Sequence, residues 1–364
     1  MIIYFVCIFV ICFFYRFLNQ KNALFLSFLL LTIVASLRSY TVGIDTQQYY
    51  DSYKYIGESN WDFKNVRYEF LFCCFVKILY QISHNPQLLI ITSSIIINLA
   101  FYIFAKKNAN NYFIYTILYI FMNIYFSNMN IMREALAISF TLLGFEFIKK
   151  KKYFMYIFFS FASVGFHNTG IISFLILFIY LISNLKYTKI CILIGGIVLF
   201  FGLNYVVIFL SKILNLTYDE YLSTKFGNGF NTGAILDLLF YLLLVFLIYF
   251  VIYNGIPSNI KISNETQINS FFTAILLFFI LTLSYTLKIN VFNRITIYFE
   301  SFALISLTNL MSKIQYRKIL SSRISLKIFL SRVILIAFFS YWLIINYLRP
   351  EWAGCSFYSF FWNI

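Results

Sequence analysis

Apolar runs follow one another along almost the whole chain, separated by short polar stretches. A membrane-spanning helix needs about 20 mostly apolar residues. The pattern predicts spans at 1–18, 22–37, 87–105, 112–127, 130–148, 153–166, 168–184, 188–212, 235–254, 268–288, 293–312 and 329–348. A further apolar stretch, 69–83 (EFLFCCFVKILYQIS), is short for a span and carries an internal lysine. No segment is long and polar enough to fold as a separate globular domain. The expectation is therefore an all-α polytopic membrane protein with about a dozen transmembrane helices. Residues 1–364 are expected to form a single integral membrane domain. Its polar interruptions are an early loop at 38–68 and a Gly-rich second loop at 213–234 that reads as a lid. The run Met1 to Phe14 has no basic residue before it and no clear small-residue cleavage site, so it reads as a retained first span.

Composition agrees: 62% of residues are hydrophobic and only 11% charged, against about 25% charged in soluble domains. The net charge of +15 would suggest nucleic acid in a soluble protein. Here the lysines sit in short loops, where they orient a membrane protein, so no nucleic-acid partner is expected. Suppose the loop Arg16–Lys21 is cytoplasmic and 69–83 does not cross. Then Lys106–Lys107, Lys149–Lys152, Lys186–Lys189, Lys261 and Lys313–Lys327 all fall inside. If 69–83 crosses, every one of these clusters lands outside. The stretch therefore reads as a helix lying at the outer interface, with both chain termini outside. Of the 13 carboxylates, only Glu146 and Glu265 then fall on or near the inside. Carboxylates contribute little to orientation, so their accumulation outside points to an outward-facing site.

Four constellations carry candidate chemistry. In RSYTVGIDTQQYYDSY (38–53), Asp45 opens a short helix. It is either that helix's cap, with Gln48 completing a variant capping box, or a carboxylate fixed at the membrane surface beside Tyr49, Tyr50 and Tyr53. In MNIMREALA (129–137), Arg133 and Glu134 start a long span. They are either interfacial snorkelling with ordinary helix-end charge or a site for an external anion, to which an arginine opposing the helix dipole adds weight. In GFHNTG (165–170), His167 falls at an outer hairpin tip, as a turn residue ahead of an Asn168 or Thr169 cap or as a proton carrier. In NVFNRITIYFESFALI (290–305), Arg294 and Tyr298 share a helix face and Glu300 lies deeper. A carboxylate at that depth is paired, wet or functional. The six cysteines show no metal-ligand spacing, so no metal site is expected. Arg38, Arg133 and Arg294 fall on one side of the membrane, at the depth of a lipid pyrophosphate, and arginine binds phosphate bidentately.

The segments R-x-x-x-V-G-I-D-T-x-x-Y-x-x-x-Y (38–53), R-Y-E-F-L-F (67–72), M-R-E-A-L-A (132–137), F-I-K-K-K-K-Y-F (147–154), F-H-N-T (166–169) and R-I-T-I-Y-F (294–299) occur in an order that resembles the EpsG family. The resemblance covers most of the chain. The family commonly has Gln where this chain has Glu134, and often Thr-Asp where it has Ile44-Asp45. The resemblance implies a fold related to the GT-C glycosyltransferases, with juxtamembrane helices in an early outer loop, here 38–83. It implies a Wzy-like polymerase that joins undecaprenyl-pyrophosphate-linked oligosaccharides on the outer face of the bacterial inner membrane, in capsule or exopolysaccharide synthesis. On that basis Arg38, Arg133 and Arg294 are assigned to the pyrophosphate. Asp45 is the first choice of base and His167 the second, while Tyr49, Tyr53, Glu69, Tyr298 and Glu300 are assigned to the glycan. Membrane lipid and a chain-length regulator are the further partners considered; no cofactor is required. The alternatives are a single-sugar GT-C transferase, separated by product analysis, and a lipid-linked oligosaccharide flippase. A flippase should show repeats and midplane charges, which are not apparent here. An acyltransferase would place its reactive His and Asp inside, where this chain has mainly Lys and Arg.

Overall fold

A computed structural model describes residues 1–63, 66–213, 232–253, 267–288, 292–316, 323–348, 350 and 354–363. The core of the second polar loop, 214–231, lies outside the described residues, and with it the lid expectation. Every regular element described is helical: α1 (Ile2–Phe17), α2 (Gln20–Ser36), α3 (Thr46–Glu58), α4 (Phe70–Ile82), α5 (Gln87–Asn108), α6 (Tyr112–Phe121), α7 (Ile124–Asn130), α8 (Met132–Lys149), α9 (Tyr153–Phe166), a 3-10 turn (Asn168–Ile171), α10 (Ile172–Ile182), α11 (Thr188–Ile213), α12 (Thr232–Tyr253), α13 (Gln267–Tyr285), α14 (Phe292–Tyr316) and α15 (Arg323–Leu348). Among the described residues, three helical stretches, Gln87–Asn108, Gln267–Tyr285 and Phe292–Ser312, are long and apolar enough by themselves to cross a membrane; further apolar helices run 10–17 residues. The chain is thus all-helical and membrane-like, and the count of a dozen crossings rests on hydropathy alone. It divides into two compact units, Met1–Phe174 with Arg332–Ile364, and Leu175–Ser331.

In the first unit, α9 shows how the sequence sorts lipid from protein. Phe154, Phe158 and Phe161 are exposed along one face, while Tyr156, Ser160 and Ser163 are buried on the other. Small residues bring α8 and α9 together, as is usual between membrane helices. The Ser163 hydroxyl donates to the Ala137 carbonyl at 2.8 Å and lies 3.1 Å from the Thr141 hydroxyl. The single span expected at 112–127 is broken instead. Asn123 takes a left-handed conformation (φ 65°) between α6 and α7, a region open to Asn at low cost. The Asn346 amide donates to its side chain at 3.1 Å. Next to the break, Asn128 donates to the Tyr119 hydroxyl, which donates to Asn98, each at 3.1 Å. Polar residues inside the apolar run thus satisfy one another instead of facing lipid.

The two ends of this unit differ in chemistry. At one end the N-terminal amine donates to the Ser356 carbonyl at 2.7 Å. The tail pairs there with the early loop through Gly43 N to Gly354 O (3.0 Å), Ser39 N to Ser359 O (2.9 Å) and Phe361 N to Leu37 O (3.0 Å). At the other end of α8, Glu146 pairs with Lys149 at 2.6 Å and Lys107 at 3.9 Å. The helix α4 does not run between these ends. Its N-cap residue Glu69 pairs with Arg133 at the start of α8. Just beyond its C-terminus, Gln87 donates to the carbonyls of Ser36 and Arg38, and Arg38 in turn reaches Met129 beside α8's start. Both ends of α4 are therefore tied to the chain around the start of α8. It pairs with α3: the Lys77 ammonium donates to the carbonyls of Gly57 and Ser59, closing the end of α3.

In the second unit, the Tyr285 hydroxyl donates to Gly196 O at 2.8 Å and Lys288 Nζ to Phe200 O at 2.6 Å, tying α13 and its C-terminal turn to α11. Ser306 donates to Phe272 O at 2.8 Å between α14 and α13.

Candidate active site

Four chain segments converge where α8 begins. Asn130 closes α7, and its side-chain oxygen accepts the Asp45 N–H at 2.8 Å. The approach is close enough that a Cβ on Gly43 (φ +98°) would meet Thr46 Oγ1 at 2.5 Å and Asn130 Cα at 3.3 Å, so glycine is required there. In the first turn of α8, Arg133 pairs with Glu69 at 2.5 Å, and both side chains are 13% exposed. The guanidinium lies over the Tyr68 ring, 4.9 Å from its centroid. The Nε of Arg133 is buried and makes no hydrogen bond among the described residues. The second oxygen of Glu69 accepts the Asn168 N–H at 3.0 Å, joining α4 to the turn between α9 and α10.

That turn is capped by His167, whose Nδ1 accepts the Thr169 N–H at 3.2 Å. The cap is therefore His167 rather than Asn168 or Thr169. The Thr169 hydroxyl lies 2.6 Å from His167 Nδ1 and donates to Glu134 at 2.8 Å. Glu134 is almost wholly buried in the first turn of α8, where the helix dipole favours a carboxylate. The turn tolerates no side chain at Gly170, where a Cβ would sit 2.4 Å from the Ser163 backbone. Cation, imidazole and two carboxylates thus meet at one end of the first unit, on α4, α8 and the α9–α10 turn.

Several assignments change. The Asp45 side chain makes no cap hydrogen bond, so the capping-box reading is set aside. Arg38 is 1% exposed, and its guanidinium donates to Ala35 O, Ser94 Oγ (2.9 Å) and Met129 O (2.9 Å). These bonds tie α2, α5 and α7 together, so Arg38 braces the floor of the site and is not presented to a leaving group. Tyr49 and Tyr53 lie on the buried face of α3 with Thr46 and Ile56. The Tyr53 hydroxyl donates to Ser83 O at 2.8 Å, and burial pushes it up to about 12. Tyr49 packs against Tyr68 and Phe72. The ring faces offered to sugars at 49 and 53 are thus covered. Partly exposed Tyr40 and Tyr50 pack together at 4.7 Å nearby, and Phe360 stacks on Trp362 at 4.5 Å in the tail.

Arg294, Tyr298 and Glu300 lie on α14 in the second unit and form a group of their own. Arg294 is exposed and Tyr298 fully buried. Glu300 accepts from the Tyr241 hydroxyl of α12 at 3.3 Å, a polar contact inside an apolar helix pair. Thr169, Asn130 and Gly170 are the site residues sequence reasoning did not assign. Their signal is present only as short polar residues around F-H-N-T-G and M-N-I-M-R. No group of His, Cys, Asp and Glu among the described residues has the arrangement of a metal site.

Residues 21–360, nearly the whole chain, match the family model described as EpsG family. The chain matches no curated protein and no solved structure.

Proposed function

The chain belongs to the EpsG family, and from that membership we propose that it is a polysaccharide polymerase. It joins undecaprenyl-pyrophosphate-linked oligosaccharide repeat units at the outer face of the bacterial inner membrane. An acceptor hydroxyl on one lipid-linked repeat attacks the anomeric carbon of another glycan. The carbon–oxygen bond to pyrophosphate breaks, and lipid pyrophosphate leaves with the bonding electron pair. Such a step needs a fixed cation for the developing phosphate charge and a base for the hydroxyl proton.

The observation that carries the reading is the convergence of Arg133, Glu69, Glu134 and His167 at one end of the first unit. Arg133 is the pyrophosphate ligand in this account. Asp45 and His167 are the candidate bases, and Glu69 is assigned to the glycan. The GT-C relation, the bacterial inner-membrane location and coupling to a chain-length regulator belong to the same proposal. Deleting the gene tests it: single repeats on lipid should accumulate outside while long surface glycan disappears. Accumulation inside instead would make the protein a flippase.

A further inference from the structure

The start of α3 is secured from outside the helix. Asp45 stands in the right-handed helical region (φ -80°, ψ -16°) and its side chain makes no cap hydrogen bond. A capping side chain needs an extended backbone to fold back onto the first-turn N–H groups. Ile44, the residue before it, has no side-chain oxygen to offer. Asn130, the last residue of α7, supplies the acceptor instead, taking the Asp45 N–H on Oδ1 at 2.8 Å. Beside it, the Thr46 hydroxyl donates to Met129 O at 3.3 Å. The tail adds a second hold: Gly43 N donates to Gly354 O at 3.0 Å, and a Cβ on Gly354 (φ +65°) would meet the Ile44 nitrogen at 2.9 Å. The backbone around Asp45 is thus gripped by α7 and by the tail, while the residue itself stays partly exposed.

We propose that Asn130 is a positioning residue for the transfer reaction: it supplies the anchoring bond at the start of α3 and so sets the Asp45 carboxylate, relieved of capping, in fixed register with Arg133. The inference rests on the polymerase reading and selects Asp45 from its two candidate bases. Only Ile131 and Met132 separate Asn130 from Arg133. One short stretch of chain therefore carries the cation for the leaving group and holds the backbone of the base. In the transfer step, the acceptor oxygen bonds to the anomeric carbon and its proton passes to the Asp45 carboxylate. The electron pair of the breaking carbon–oxygen bond leaves with lipid pyrophosphate, and Asp45 afterwards returns its proton to water. Asn130 acts only through Asp45.

His167 is placed differently. Its Nδ1 accepts the Thr169 N–H and caps the α9–α10 turn, and the residue is buried. The ring is thereby part of how that turn folds. A bond from Asn130 to a backbone N–H could also serve stability alone. What points beyond stability is where the bond falls. It holds the one residue of this loop that bears a carboxylate, and it needs the close approach that glycine at 43 permits, where a Cβ would meet Asn130 Cα at 3.3 Å.

Full-length protein in vesicles with lipid-linked repeat units separates the two roles. Asn130→Leu keeps the side chain's size and removes the acceptor, whereas Asn130→Asp keeps the acceptor. Asn130→Leu should lower kcat about tenfold with KM little changed, and Asn130→Asp should recover most of the loss. On an Asp45→Asn background, Asn130→Leu should cost the residual turnover nothing further, because its effect runs through the carboxylate. Amide hydrogen exchange over residues 43–49 reads the anchor without any substrate: Asn130→Leu should speed it about tenfold, and Asp45→Asn should leave it unchanged. If Asn130→Leu folds poorly, Asn130→Ala removes the same acceptor and carries the same tests. Wild-type kcat in the variant, or an equal loss with and without Asp45→Asn, overturns the proposal. If exchange responds as expected but the wild-type protein never lengthens lipid-linked glycans, the anchor stands and the polymerase reading falls.

Discussion

Arg133 is the residue on which the chemistry turns. Its guanidinium is held by a carboxylate and an aromatic face, and its Nε is without a hydrogen bond among the described residues. Lysine would keep the charge but lose the planar fork. Arg133→Lys should therefore lower polymerisation roughly tenfold or more at normal protein level, the scale of one lost charge-assisted hydrogen bond. Near-normal glycan length in that variant would return Arg133 to a membrane anchor. Asp45 gives a complementary test. Its side chain caps nothing, so Asp45→Asn and Asp45→Ala should insert and express alike. If His167 is the base, Asp45→Asn should retain more polymerisation than His167→Gln, measured side by side. The arginine, the histidine and both glutamates at this site were legible in the sequence as ionisable residues at the ends of apolar runs. The burial of Tyr49 and Tyr53 was missed, although 46, 49, 53 and 56 recur at helical spacing on one face of α3. What outward charge placement could not reveal is that Arg38 turns inward onto backbone carbonyls, because only the folded chain brings Met129 and Ser94 beside it.

Among the elements, the α3–α4 pair and the α9–α10 turn hold the site in place. The Lys77 ammonium closes the C-terminus of α3, where a cation also suits the helix dipole. Lys77→Met should cost about 1–3 kcal/mol, read as a lower melting temperature in detergent, with little change in membrane insertion. An unchanged melting temperature would mean that the hairpin is held by its apolar face alone. Gly170→Ala should be more damaging, because the added carbon meets backbone of α9 rather than a movable side chain. Loss of folded protein or of polymer is the expected readout, and an active, stable variant would contradict the geometry of the turn. The lysine pattern predicts an interfacial position for α4, since one misplaced crossing inverts every lysine cluster. The break at Asn123 was not legible in hydropathy. An averaged window registers a long apolar run and misses a single residue able to take a left-handed turn.

At the scale of the molecule, one end of the first unit is closed by the N-terminal amine and the tail. The tail from 354 to 363 pairs with the loop that carries Asp45, and the N-terminal amine pairs with the tail. The charge pattern sets the direction: a cysteine at Ser59 should react with an impermeant reagent in intact spheroplasts, and one at Ser321 should not. Labelling at Ser321 would invert the topology and move the site to the cytoplasm. Hydropathy made the helical, membrane-like class legible, whereas the tail's role was hidden because its pairing is between backbone groups. The central claim is tested most directly by reconstituting the purified full chain in vesicles with undecaprenyl-pyrophosphate-linked repeat units. The account predicts a ladder of lipid-linked glycans lengthening by whole repeats, with lipid pyrophosphate released at each step and the ladder strongly reduced in Arg133→Lys. Repeat units that stay single, or that grow by one sugar at a time, would contradict it.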